Sequence, residues 1–214
     1  MPTLRIAQDD AADELLSRDP LALLLGMLLD QQFPMERAFG APRLLADRMG
    51  VDRLSAAEIA ACDPDVLVRH FQGPPALHRY PGSMAARAQE LARTLVEHYD
   101  GRADAVWADV PDGATLLRRL RELPGFGAQK ASIFLALLGK RYGVTPPGWR
   151  EAAGVYGEEE AVLKALQMAR AGDLVVLFGD KLSQVWEQIV SFKPQPQQEG
   201  APVTPAREGE LVGA

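Results

Sequence analysis

The chain has 214 residues, 47% of them hydrophobic and 24% charged, with a formal net charge of −6. This is ordinary composition for one sizeable globular domain, or a domain with a small appendage. It leaves no place for a membrane-spanning helix, because the longest apolar stretch, Leu21 to Leu29, is about half of the roughly 18 residues a span needs.

The overall negative charge also argues against a protein that grips nucleic acid with its whole surface. The single cysteine, Cys62, rules out an internal disulfide, a thiolate zinc site and a four-cysteine iron–sulfur cluster. It is expected as a small buried apolar side chain. Met1-Pro2-Thr3-Leu4-Arg5 lacks a basic segment followed by an apolar one, so a cytoplasmic location is expected.

Helical periodicity dominates the first 170 residues or so. Asp19-Pro20 is a start signal, and Leu21 to Gln32 reads as a helix that is apolar nearly all round and therefore buried. Pro34 breaks it, and a second helix runs from Met35 to Met49. Two short helices follow, Ser55 to Ala61 and Pro64 to Phe71, the first capped by Ser55 with Glu58 three residues on. Gln72 to Gly82 is a loop by its Gly and Pro content. A long helix then runs from Ser83 to about His98, with Met84, Ala88, Leu91, Leu95 and Tyr99 on one face.

Ala103 to Ala108 and Gly113 to Glu122 read as two further helices. Between Asp112 and Arg150 stand seven basic residues against two acidic ones, a local +5 on an acidic chain. They are Arg118, Arg119, Arg121, Lys130, Lys140, Arg141 and Arg150. Such a concentration fits a localised anion-binding face.

Within this segment Leu123-Pro124-Gly125-Phe126-Gly127 joins two helices. Pro124 ends the first, because proline disfavours helical geometry in the residue before it. Gly125 and Gly127 allow backbone angles and close approaches that a Cβ would block. The second helix starts at about Ala128 and buries Ala131, Phe134, Leu135 and Leu138. Its free N-terminal amides, with the turn amides, are suited to a phosphate oxygen. Contacts of that kind anchor DNA without reading its sequence.

With this hairpin, the sequence resembles the helix-hairpin-helix DNA glycosylases (the HhH-GPD superfamily) of the endonuclease III, MutY and AlkA type. Leu25-Gly26-Met27-Leu28-Leu29-Asp30-Gln31-Gln32 is similar to that family's early buried helix. Ala85 to Ala92, then His98-Tyr99-Asp100-Gly101 and the hairpin, follow its order and spacing. The similarity runs from about Pro20 to Gly154, and most narrowly points to a small bacterial branch without an assigned substrate.

The resemblance implies an all-α, two-lobed fold that binds double-stranded DNA and takes a flipped base into the cleft between lobes. It implies Gln31 or Gln32 filling the gap left in the duplex. The hairpin contacts would come from Gly125, Phe126, Gly127, Gln129 and Lys130. His78, Tyr80 and Trp149 are the candidates to stack against a base. No metal, cofactor or iron–sulfur cluster is implied, and the setting is the bacterial cytoplasm, at the nucleoid.

Two positions depart from the family. Gln129 stands where bifunctional members carry the Schiff-base lysine, and Lys130 is turned about 100° around the helix from it, away from the cleft. Lyase chemistry is therefore not expected. The aspartate that assists glycosidic cleavage falls in the family after a Gly/Pro-rich loop. Here that window is Pro147, Gly148 and Trp149, and Glu151 is the closest carboxylate. Three readings stay open: a monofunctional glycosylase that activates water with Glu151 or with a residue the sequence does not identify, a lesion-binding module without catalysis, and a protein-interaction scaffold.

The expected domains are a helical one over 1–157, with its hairpin at 113–140, and a helix-strand-helix segment over 158–193. A disordered tail is expected over 194–214. In the second segment Glu159 to Arg170 reads as a helix and Leu174 to Phe178 as a short strand. Lys181 to Phe192 is a helix presenting Leu182, Val185, Trp186 and Ile189 on one face. The Gly172 to Asp180 stretch and its following helix are weakly similar to the end of cyanophycin synthetases. No phosphate loop accompanies it, and the segment is a candidate surface for a protein partner.

Overall fold

The computed structural model describes residues 4–155, 158–169 and 182–193. All regular structure among these residues is helical, and none of the helices is long and apolar enough to cross a membrane. Contacts divide the chain into two units, Met1–Val155 and Tyr156–Ala214.

The first unit is built around a helix with no polar face. After α1 (Asp10–Arg18), Asp19 opens α2 (Pro20–Leu29) by accepting the amides of Leu21 and Ala22. Its other carboxylate oxygen accepts the Leu54 amide at 3.0 Å, which ties a distant loop to the same cap. Every residue from Leu21 to Leu29 is buried. Each Leu side chain so buried contributes about 1.5–3 kcal/mol before chain entropy is set against it, so α2 is the fixed element of the unit. Along it packs α3 (Met35–Met49). The close approach needs Gly26, where a Cβ would lie 2.7 Å from the Phe39 ring.

The helix stops at Leu29 rather than continuing to Gln32. Pro34 forbids a helix through Phe33, and Gln32 takes a left-handed backbone angle, φ +53°. Two carbonyls of this exit find partners elsewhere: Leu28 in Lys130 and Gln31 in His78. Tertiary bonds thus replace the helical ones that the apolar pattern alone would continue.

Next come α4 (Ala56–Ala61), capped by Ser55, and α5 (Pro64–Gln72), and both pack against α6 (Pro81–Tyr99). The long helix begins at Pro81, earlier than Ser83, because proline's fixed φ suits a first helical position. Met84, Ala88, Leu91 and Leu95 are buried along its inner face. Cys62 is only half-buried at the edge of the core. The helix expected over 103–108 is a single tight turn, Asp104–Val106.

The hairpin follows as α7 (Gly113–Glu122) and α8 (Ala128–Leu137), which continues as one wider turn over Leu138–Tyr142. The short α9 (Trp149–Ala153) packs on both α7 and α8. Ala131, Phe134, Leu135 and Leu138 are all fully buried, the face expected for α8.

In the second unit α10 (Glu158–Met168) packs on α11 (Leu182–Ser191), with Val162 and Val185 buried. Trp186, expected beside Val185, is 65% exposed. One residue is about 100° of helix, and the contact stripe takes Val185. The expected strand, Leu174 to Phe178, and the tail over 194–214 lie outside the described residues.

Candidate nucleic-acid interface

The Pro124–Gly127 turn is shaped from both sides. The Leu123 carbonyl accepts the Phe126 amide at 3.1 Å. Gly125 has φ +80°, and a Cβ there would lie 2.5 Å from Leu28 Cδ1, so both its angle and its contact with α2 require glycine. Phe126 is buried edge-on against Phe134, its ring centroid 5.8 Å away. Of the expected hairpin contacts, Phe126 therefore serves packing, and its side chain does not reach the surface.

Gly127 differs. Its φ is −71°, an angle any residue adopts, and a Cβ would meet nothing within 4 Å. It is the N-cap of α8, with no side chain capping that end. The first bond of the helix is Ala131 N–H to the Gly127 carbonyl at 2.9 Å. The amides of Gly127, Ala128, Gln129 and Lys130 therefore donate to no group among the described residues, and Gly127, Ala128 and Gln129 are exposed. Free amides at a helix N-terminus form a partial positive charge that favours an anion.

Lys130 faces elsewhere. Its Nζ donates to the Leu28 carbonyl at 2.8 Å, closing the C-terminal end of α2. Burial pushes its ammonium pKa down to about 8, with Arg87 adding to the fall and Asp30 opposing it. Around the same helix end, Arg87 donates to Gln31 Oε1 at 2.5 Å. His78, only 1% exposed, bonds the Gln31 carbonyl through Nε2 at 3.1 Å. Since its Nδ1 accepts the Tyr80 amide at 3.0 Å, the ring proton sits on Nε2, which donates. Burial lowers the His78 pKa, which keeps this neutral form.

The fold thus gathers Gln31, His78, Tyr80 and Lys130 at one end of α2, beside the hairpin turn. His78 is a buried brace for the Gln31 backbone, not a stacking face. Tyr80 is 49% exposed and offers its ring, with the Arg79 guanidinium 5.5 Å from the centroid. Gln32 is exposed at its left-handed corner, whereas the Gln31 amide oxygen is already bound by Arg87.

Trp149 and Glu151 lie apart from this cluster. Trp149 is buried against Gly113 and Gly139, where added Cβ atoms would come within 2.5 and 2.3 Å of it. These glycines mark the far ends of the hairpin helices. From Gly127 to Gly139 is about 18 Å at roughly 1.5 Å per residue. Trp149 is a packing residue, and Glu151 is exposed near it, its carboxylate without a hydrogen bond or ion pair among the described residues.

The basic residues do not form one stripe. Arg118 pairs with Glu122 at 2.9 Å, Arg119 donates to the Val106 and Ala108 carbonyls, and Arg150 lies over the Trp149 ring. Arg121, Lys140 and Arg141 are exposed, without ion pairs among the described residues. Along α8, Gln129 and Ile133 share a face. Ile133, Leu137 and Arg141 line a groove of about 370 Å³ whose other wall holds Met27, Asp30 and Phe39.

The chain matches no protein-family model, no curated protein and no solved structure. What the interface can do is therefore argued from its own geometry.

Sequence reasoning missed Arg87 and Asp30. Arg87 lies on an ordinary exposed helix face and carries no local signal. Asp30 carries one: a lone acid closing an otherwise apolar run, toward the C-terminal end of a helix, where the dipole disfavours it.

Proposed function

We propose that the chain binds duplex DNA as a helix-hairpin-helix protein of the glycosylase kind, with that group's two-lobed helical fold. In this reading it releases a damaged or mismatched base by hydrolysis. The observation that carries the reading is Gly127. Its glycine is required neither by backbone angle nor by packing within the chain. What the missing side chain does is leave the α8 amides open to a group that comes closer than a methyl allows. A phosphate oxygen is such a group.

Further support comes from the exposed cations of the same hairpin, Arg121, Lys140 and Arg141, which supply sequence-independent attraction. Gln32 and Tyr80 stand beside the turn, suited to a duplex opened at one base. Hydrolysis is favoured over lyase chemistry because the Lys130 amine is engaged with Leu28 and position 129 has no amine. The reading needs no cofactor, and it belongs to the bacterial cytoplasm and nucleoid.

One observation favours a second reading, a lesion-binding module without catalysis: Glu151 is exposed and far along the hairpin from the turn. Release of a base separates the two. The anchoring itself is tested by titrating a labelled duplex. Affinity is expected to fall at least tenfold between about 50 and 200 mM salt. Affinity that does not change with salt contradicts it.

A further inference from the structure

Asp30 is placed where a carboxylate is costly. It follows the last turn of α2, at the negative end of the helix dipole. It is partly buried and accepts no hydrogen bond from any described group. By contrast Asp13, Asp19, Asp63 and Asp112 all accept backbone amides. The opposite charge that acts on it, Lys130, is spent on the Leu28 carbonyl and makes no ion pair with Asp30 within 4 Å. Burial raises the Asp30 pKa above the ordinary carboxylate value, and Lys130 only partly opposes this.

Within the fold this carboxylate only eases the charge of Lys130 from a distance, and its place is further explained by what it faces. It lines the groove walled by Met27, Phe39, Ile133 and Leu137, whose volume lies in the range of small-molecule pockets, roughly 300–1,000 Å³. Asp30 is also close enough to feel the charge of Lys130, in the first turn of α8, so this end of the groove lies near the helix end whose amides are open. A groove with apolar walls, one carboxylate and the guanidinium groups of Arg5 and Arg141 at its lining suits a nucleoside turned out of a duplex, the cations serving its phosphates.

We propose that Asp30, in place of Glu151, is the catalytic carboxylate for a nucleoside whose base lies in this groove. The inference rests on the glycosylase reading. In the step, a water oxygen bonds to C1′ while the C1′–N bond breaks and its electron pair leaves with the base. Asp30 takes the proton the water loses and returns it to solvent, and the base nitrogen takes a proton from solvent. The products are the free base and an abasic sugar bearing a hydroxyl at C1′.

The test uses the full chain and its Asp30→Asn variant under single-turnover conditions. The substrates are duplexes holding uracil, an alkylated purine, 8-oxoguanine or a G·T mismatch, and the readout is alkali-sensitive abasic sites. Binding to a duplex with a tetrahydrofuran abasic analogue is measured in parallel. Wild-type protein is expected to release at least one of these bases. Asp30→Asn is expected to release it at least 100-fold more slowly, in keeping with general-base contributions of about 10²–10⁴, while binding the analogue within threefold.

Release by Asp30→Asn within threefold of wild type overturns the role of Asp30 and leaves the glycosylase reading intact. No release by wild type from any of the duplexes overturns both. If Asp30→Asn does not fold, the wild-type pH–rate profile decides. Its acid limb is expected above the ordinary aspartate range, and a limb at or below about 4 overturns the assignment.

Discussion

The Lys130 ammonium donates to the Leu28 carbonyl at 2.8 Å, across 102 residues of sequence. The bond closes α2 from outside and fixes the hairpin turn to the end of the buried helix, where Gly125 also meets the Leu28 side chain. Replacing Lys130 by Met keeps most of the apolar stem and removes the bond. At about pH 10, where the folded amine is neutral and no buried charge offsets the bond, a loss on the order of 1 kcal/mol in denaturant unfolding is expected. No loss would mean that the bond does not hold the turn.

The same lysine is expected to titrate near pH 8 in the folded chain, against about 10.4 for an unhindered lysine. Because its folded pKa is lowered, the charged form is disfavoured in the folded state. Stability is therefore expected to rise as pH increases from about 8 to 10.4, and the rise to be absent in Lys130→Met. Since Asp30 supports the charge, Asp30→Asn should lower the Lys130 pKa further, as read by NMR titration. An upward shift would contradict the arrangement.

His78 gives the opposite end of the pH scale. Its folded pKa is lowered, chiefly by burial, so the unfolded chain takes up a proton first as pH falls. The stability it contributes is present above about 6.5 and is lost as pH drops below that value. Protonation places a second proton on Nδ1, which then cannot accept the Tyr80 amide. Unfolding free energies measured between pH 7.5 and 5.5 are expected to decline in wild type. In His78→Gln the decline should be much smaller.

Gly139 tests the placement of Trp149. A Cβ there would lie 2.3 Å from the indole, and neither group can move freely in a packed interior. Gly139→Ala is expected to cost about 1–3 kcal/mol. A smaller cost would mean that Trp149 is not locked against the hairpin.

The order and many ends of the helices were legible in the sequence because local chemistry sets them. Asp19-Pro20 opens α2, Ser55 caps α4, and Pro124 ends α7. The exit of α2 was not legible, since the partners of Leu28 and Gln31 come from Lys130 and His78, distant in sequence. The site divides the same way. The open turn at Gly127 follows from local Pro and Gly chemistry, but the use of His78 as a brace depends on a tertiary fit that periodicity does not carry. Position after the hairpin puts Trp149 and Glu151 at the site, whereas the packing of Trp149 against Gly113 and Gly139 takes it, with Glu151 on the same short helix, to the other end.

The most direct test of the phosphate anchor is Gly127→Asp, measured for both stability and duplex affinity. Aspartate is a good N-cap, so α8 should keep its stability or gain a few tenths of a kcal/mol. The same carboxylate would occupy the open amides and repel a phosphate. Duplex affinity at about 50 mM salt is expected to fall at least tenfold while the unfolding transition stays in place. Unchanged affinity in the folded variant would contradict the account.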